Sequence, residues 1–456
     1  MLTNQPKIFL MFNPNGVVER DVCLASKSIG IQVESHGIEV FRTSEGHTAE
    51  RIDLLAIAKS IMNFSPDFVL TINGAGLDNE GLFSRICALL KLPLVLWFVD
   101  EPFVVPEWGM KYIPETAIAF TFDRFYEKRI RSWGIPWVYT LPLGANAERL
   151  QSYRGVSGKM RGYRHPVSFV GALEYAKIQY LLRNISRLWP DMPPGMVEVL
   201  DRTVPAYRND FLSDTEEVLR NCARDLGVEF AFPNGIVRQM VLSYIDREAG
   251  LRQRHEIIDS LRPFGVRVYG EGFWEKAVGK TCYRGPVDYY SPQIAALYRS
   301  SRINLNISKY QLKTTVNQRV FDCPLCDGFL ITDFREDLEE YLRIDKEVAV
   351  YRDKEELKKK VSSYLNNDRA RCAIVENGKE AVLDRHTYGH RISKMADIVN
   401  GIKRTSRFEK ACEEVAGRTA PRPFLALVER IKEHLPLFTL PSSGPVPGQP
   451  TQHLNS

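Results

Sequence analysis

Short apolar runs recur through the first part of the chain, at 7–12, 38–42, 68–72, 94–98, 117–121 and 137–141. Between them lie stretches with helical periodicity, such as 51–63 and 80–90. Strand-length runs alternating with amphipathic helices predict repeated β-α units, hence a parallel sheet covered on both faces. The turn Asn73-Gly-Ala-Gly76 follows one of these strands and has two readings, a phosphate loop or a tight βα turn. It lacks the third glycine of a dinucleotide fingerprint, because Asn79 stands at that spacing.

A second alternating series opens at Pro166-Val-Ser-Phe-Val-Gly171 and resumes at Val266-Arg-Val-Tyr-Gly270 after a charged helical region at about 191–248. Its clearest part is an apolar run at 303–307, a polar loop, a helix from about Gln318, and a further apolar run at 329–332. Ser291-Pro292 and Asp353 read as helix starts, the first with proline at the first helical position. The pattern predicts an α/β fold of two doubly wound parallel-sheet domains. They occupy 1–150 and 166–400, with the helical insertion in the second and a polar linker at 151–165. Helices follow over 401–435, including 407–416 and 424–434. The Pro- and Ser-rich tail at 436–456 is expected to be disordered.

Composition narrows the classes. A net charge of +5 over 456 residues favours anionic ligands slightly and does not indicate nucleic-acid binding. The run Lys358-Lys359-Lys360 follows Glu355-Glu356 and reads as a solvated helix face. No apolar run approaches the roughly 18 residues of a membrane span, and the first run is too short for a signal-peptide core. Eight cysteines without a framework suggest a reducing compartment. The one close pair, Cys323 and Cys326, has no second pair at zinc-like spacing, so it reads as two small residues of a buried helix.

The ordered set Phe169-Val-Gly171, Val268-Tyr-Gly270, Gly285-Pro-Val287, Leu305-Asn306, Arg319-Val-Phe-Asp322, Gly328-Phe329, Thr332-Asp333, Lys346-Glu347, Tyr351, Glu355-Glu356-Leu357 and His386-Thr-Tyr-Gly-His-Arg391 covers much of 166–395. It resembles the CgeB-type, spore-maturation-protein-like glycosyltransferases, which are related to the group-1 transferases. The first half matches more loosely, through Trp97-Phe-Val-Asp100-Glu-Pro102. The resemblance implies a GT-B fold, two Rossmann-like domains facing a cleft. The first would hold the acceptor and the second a nucleotide-sugar donor.

Glycosyl transfer from a nucleotide sugar requires a stabilised diphosphate leaving group and an activated acceptor hydroxyl. No Asp-x-Asp element occurs in the chain, so basic side chains and a helix N-terminus, without metal or other cofactor, are expected around the diphosphate. Arg319 opens the helix after the 303–307 strand, against the helix dipole, and a bound anion would relieve that conflict. The competing reading pairs Arg319 with Asp322 or Asp333. Tyr310, in the loop after the same strand, could stack on a base or contact the sugar. Asn317 beside the helix start is a further donor contact. Asp100 ends an apolar strand at the cleft. Burial there would raise its pKa and suit a general base, with Glu101 the weaker alternative.

Other roles rest on the resemblance. It implies that Gly171 and Lys177 approach the diphosphate, although Ala172 replaces the arginine usual after the glycine. It implies that Asp322 accepts from the ribose hydroxyls and that the loop ending at Val287 lies against the nucleobase. The partner acid of the wider group is absent, since Thr314 stands eight residues before Asp322, and Asp327 replaces a common glycine. The HTYGHR segment is expected to pack and hydrogen-bond across the domains. The activity expected is a metal-independent glycosyltransferase, cytoplasmic or peripheral at the inner face of a membrane. Its acceptor would be a glycan, a lipid-linked glycan or a protein, with no nucleic acid as partner. A nucleotide-sugar epimerase on the same scaffold, or a non-catalytic nucleotide- or glycan-binding protein, would share these features.

Overall fold

The structure is a computed structural model that describes residues 6–13, 16–42, 48–51, 53–78, 81–102, 116–153 and 163–417. The expected helix at 424–434 and tail at 436–456 lie outside the described residues, as does Asn79.

The first domain holds β1 (Lys7–Phe12), β2 (Gln32–Gly37), β3 (Glu39–Arg42), β4 (Thr48–Arg51), β5 (Phe68–Ile72), β6 (Leu94–Phe98), β7 (Ala117–Thr121) and β8 (Trp137–Thr140). Six of these form a parallel sheet in the order β2-β1-β5-β6-β7-β8, and β3 and β4 form a separate antiparallel pair. Every residue of β5, β6 and β7 is buried, because helices cover both faces. That is why these strands read as continuous apolar runs.

The apolar run at 38–42 is not the second strand of this sheet. Gln32–Gly37 pairs with β1 in parallel, Lys7 opposite Gln32, and the chain then turns into the β3–β4 hairpin. An edge strand packs incompletely, so the polar sequence QVESHG is tolerated there.

The second domain holds β9 (His165–Val170), β10 (Val266–Tyr269), β11 (Ser301–Asn306), β12 (Leu330–Asp333) and β13 (Ala349–Tyr351), all parallel, in the order β10-β9-β11-β12-β13. The helices Tyr175–Leu188, Met196–Asn209, Thr215–Asp225 and Gly235–Ser260 intervene between β9 and β10 and bury a core of their own. The insertion is therefore longer than the expected 191–248 at both ends. Its last helix starts where the Asn234 side chain accepts from Val237 N and runs for 26 residues. Ser291 and Asp353 cap helices as expected, each side chain accepting from amides of the first turn.

The helix Tyr388–Lys403 crosses back to the first domain. Its Tyr388, Ile392, Met395, Val399 and Ile402 join the core formed by Ile8, Leu70, Ile118 and Phe120. Fully burying side chains of this size is worth roughly 1.5–3 kcal/mol each, so this helix belongs energetically to the first half of the chain. Ser406–Gly417 follows it there, with Phe408 and Cys412 in the same core. The crossing is a backbone stitch: Ala145 N donates to His386 O (2.9 Å) and Tyr388 N to Ala145 O (2.9 Å). A Cβ on the neighbouring Gly144 would lie 2.8 Å from the carbonyl carbon of Thr387. The HTYGHR segment serves this crossing. Arg391 Nε donates to Pro142 O (3.0 Å), and its Nη2 meets His386 Nδ1 (2.9 Å). Burial, followed by the Arg391 charge, lowers the His386 pKa to about 4. Two parallel-sheet α/β domains are linked in this way.

Candidate active site

The loops after β9 and β10 touch through bare backbone. Gly171 N donates to Tyr269 O (3.0 Å), and Gly171 O accepts from Trp274 Nε1 (2.7 Å). Gly270 has φ 153°, and a Cβ there would lie 2.1 Å from Gly171 O, so a side chain is excluded. Beyond Gly171 the chain reaches Glu174 (φ 60°) and enters the helix carrying Lys177.

Cations gather around Glu174. Lys309 Nζ lies 3.0 Å and Arg247 Nε 3.9 Å from its carboxylate. Burial alone would raise the Glu174 pKa, but Lys309 and Arg247 outweigh it and hold the carboxyl below its ordinary range. Lys177 is shifted down, by desolvation first and then by the Arg247 charge, with Lys309 adding and Glu174 and Asp100 opposing. Arg254 is buried, donates from Nη1 to Ala172 O (2.5 Å), and is also shifted down, by burial and by the Arg319 charge. Arg319 donates to Asn306 Oδ1, which also accepts from Asn317 Nδ2 (2.9 Å). Covered Nε–H groups of Arg247, Arg254 and Arg319, and the Oδ1 of Asn317, find no hydrogen-bond partner among the described residues. Leaving a buried donor unmet costs roughly 1–3 kcal/mol. The cluster thus holds covered guanidinium donors that no acceptor among the described residues meets. Arg319 pairs with neither Asp322 nor Asp333; its partner is the neutral Asn306.

Sequence reasoning found Lys177, Asn317 and Arg319 but missed Arg247, Arg254 and Lys309. Arg247 and Arg254 sit on the long insertion helix, which reads simply as charged. One signal was available: Arg254 falls between Leu251 and Ile257-Ile258, on the stripe that faces the core.

Asp100 needs a correction. It is exposed, not buried. Its carboxylate accepts from Asn73 Nδ2 (3.0 Å) and, across the cleft, from Gln311 Nε2 (3.2 Å). Asn73 belongs to the tight turn after β5 and accepts Val99 N (2.8 Å), so this loop serves to hold Asp100. The carboxyl pushed up is that of Glu101, to about 7, by burial and then by the Asp246 carboxylate, against Lys313 and Arg247.

Asp322 and Tyr310 also differ from expectation. Asp322 is completely buried. It accepts from Tyr289 OH (2.5 Å) and Gln318 Nε2 (3.2 Å), with Arg149 4.0 Å away. Arg149 is itself paired with buried Asp21 (3.1 Å). Burial pushes Asp322 up to about 7 against the pull of Arg149. Its Oδ2 is taken by the Tyr289 hydroxyl, and its Oδ1, unpartnered among the described residues, is buried, so it offers no surface to a ribose. Tyr310, 4 % exposed, packs against Tyr207 and Phe211 of the insertion with ring centroids 5.6 Å away, so it is not free to stack on a base. Val287 is partly buried against the core between the second sheet and its helices. Arg319–Leu325 is only seven residues long. Its Cys323 and Cys326 are buried; burial pushes the Cys326 thiol up to about 12 and Cys323 well up, opposite to what a reactive thiolate needs.

Residues 251–397 match the family model described as glycosyl transferase-like. Among solved structures the chain is similar to sucrose-phosphate synthase from Thermosynechococcus elongatus, at 12 % identity over 88 % of this chain and 99 % of that one (TM-score 0.45). It is also similar to a glycosyltransferase from Rickettsia africae, at 11 % identity over 88 % and 100 % (TM-score 0.46). A third is Anabaena HepE in complex with UDP-glucose, at 10 % identity over 87 % and 100 % (TM-score 0.47). No curated protein matches the chain. Among the described residues, no helix is long and apolar enough to cross a membrane.

Proposed function

We propose that this chain is a CgeB-type glycosyltransferase that takes a nucleoside-diphosphate sugar and needs no metal. The supporting observation is a cluster of cations: Lys309, Arg247 and Lys177 act on the Glu174 carboxylate, and Arg254 neighbours both Glu174 and Arg319. A diphosphate would supply acceptors to the unmet guanidinium donors, which would stabilise it as a leaving group. Gly171 lets the backbone approach, Asn317 accepts from a sugar hydroxyl at its free amide oxygen, and the loop to Val287 borders the base. Asp100, fixed by Asn73 and Gln311 at the cleft, takes the proton of the acceptor hydroxyl. The acceptor is a glycan, a lipid-linked glycan or a protein. The enzyme works in the cytoplasm or at the inner face of a membrane.

Thermal unfolding with UDP and with GDP, in EDTA, tests the reading. At least one nucleotide should raise the Tm of the native chain by mass action. Arg254→Gln and Arg319→Ala should respond far less. Two results count against the proposal: no nucleotide raises the native Tm, or both variants respond like the native chain. Nucleotide binding without release of UDP or GDP from any nucleotide sugar would favour the non-catalytic alternative.

A further inference from the structure

A second pocket lies apart from the cation cluster. At the carboxyl ends of β12 and β13, a cavity of about 840 Å³ opens between the second sheet and the insertion helices Met196–Asn209 and Gly235–Ser260. The carboxyl ends of strands in a doubly wound sheet are where ligands collect. On the long helix, Gln253 and Ile257 face this cavity, whereas Arg254 reaches Ala172. The two sites therefore lie on either side of one helical turn.

The wall joins aromatic rings to guanidinium groups. Arg335 is buried and donates from Nε to Leu312 O (2.8 Å). It sits 4.7 Å from the centroid of Phe211, and its Nη2 has no partner. Arg352, at the exposed rim, lies 4.5 Å over Phe334 and forms no ion pair among the described residues. Tyr310 and Tyr351 complete the aromatic lining. The acids of the wall are already engaged. Glu256 holds Arg208 (2.6 Å), Asp333 holds Arg335 (2.8 Å), Glu336 holds Arg124 (3.2 Å), and Asp353 accepts the amides of Glu355 and Glu356. What remains to be met is cationic, and it is displayed on rings. A planar guanidinium fixed against a ring is suited to a carboxylate or phosphate, and apolar ring faces with a few fixed polar groups suit a compact organic ligand.

We propose that this cavity binds an anionic sugar, its phosphate or carboxylate on Arg335 and Arg352 and its ring among Phe211, Phe334 and Tyr351. Binding stands independently of the transferase reading. Only the assignment of this ligand as the charged unit of the acceptor rests on that reading.

Isothermal titration of the full chain with glucose 6-phosphate and with glucuronate tests the proposal, with glucose, inorganic phosphate and UDP run in parallel. At least one anionic sugar should bind saturably and more tightly than glucose or phosphate alone. Arg352→Ala, at an exposed position, should weaken that binding about tenfold or more, and Arg335→Gln should do the same; UDP binding should be unchanged in both. Arg319→Ala should show the opposite pattern. The proposal is overturned if neither anionic sugar binds, if inorganic phosphate binds as tightly as both, or if Arg352→Ala and Arg335→Gln bind like the native chain. Anionic-sugar binding without UDP binding would support the cavity and count against the transferase reading alone.

Discussion

Asp123 and Arg254 are both buried charges close to the cleft, yet they are surrounded in opposite ways. Asp123, at the end of β7, accepts from the amides of Lys313 (2.7 Å), Thr314 (2.9 Å) and Thr315 (3.3 Å) and from the Thr314 hydroxyl (2.7 Å), all across the domain boundary. Beside it, Arg124 pairs with Glu336, Asp337 and Glu340 of the second domain. Arg254 has one carbonyl and, among the described residues, no partner on Nε and no ion pair; its charged neighbours are Glu174, Arg319, Asp246 and Asp333. A charge met by its own chain holds the domains together, whereas a charge left unmet is suited to a ligand. Thr314 illustrates the first case. Its hydroxyl is bonded to Asp123 (2.7 Å) and to Asp337 (2.9 Å).

The largest effect expected from this contrast is at the satisfied charge. Asp123→Ala leaves three buried amides unmet and should cost about 3–5 kcal/mol, read as a lower urea midpoint. A loss below about 1 kcal/mol would remove Asp123 as an interdomain anchor.

Asp322 should behave in the opposite sense. Its folded pKa, about 7, lies above its unfolded value, so the folded state holds this proton more tightly. The contribution is fully present below the unfolded pKa of about 4 and is lost as pH rises through about 7. Asp322→Asn keeps the shape without the ionisation. It should stabilise the protein at pH 8 by roughly 2–4 kcal/mol, at about 1.4 kcal/mol per pKa unit, and change little at pH 4. Parallel thermal melts at the two pH values decide it; an equal effect at both would show that ionisation is not the cause.

At the unmet charge, Arg254→Gln should lower nucleotide affinity about 10- to 100-fold, the worth of a charged hydrogen bond of roughly 1.5–3 kcal/mol. The same substitution should leave the ligand-free protein no less stable. A large loss of stability in the absence of nucleotide would place Arg254 with Asp123 and erase the contrast.

Smallest of all should be Lys358→Ala. Lys358 meets only Glu355, at 2.9 Å on an exposed helix face, and exposed pairs of this kind are worth less than about 1 kcal/mol. Its urea midpoint should match that of the native chain.

These sites were unequally legible in the sequence. The central strands were plain because burial on both faces leaves no polar position in Phe68–Ile72 or Leu94–Phe98. Gln32–Gly37 was not, because an edge strand pays little penalty for polar residues. Lys177 could be named from the resemblance, and Arg319 because it opens the helix after the 303–307 run. Arg254 becomes a neighbour of Arg319 only when a 26-residue helix lies across the loop after β9, a fact of packing that no local pattern carries. Asp322 failed for the same reason: its spacing was readable, but Tyr289 and Arg149 reach it from distant segments.

The returning helix Tyr388–Lys403 has a consequence for biosynthesis. The amino-terminal sheet is made first, but one of its faces, covered early only by Val18, Val22 and Ala25, is completed when residues 388–402 emerge from the ribosome. The two halves are therefore not interchangeable modules. A message cut short before Tyr388 would yield a nascent first half with Leu70, Ile118 and Phe120 laid bare to chaperones and aggregation.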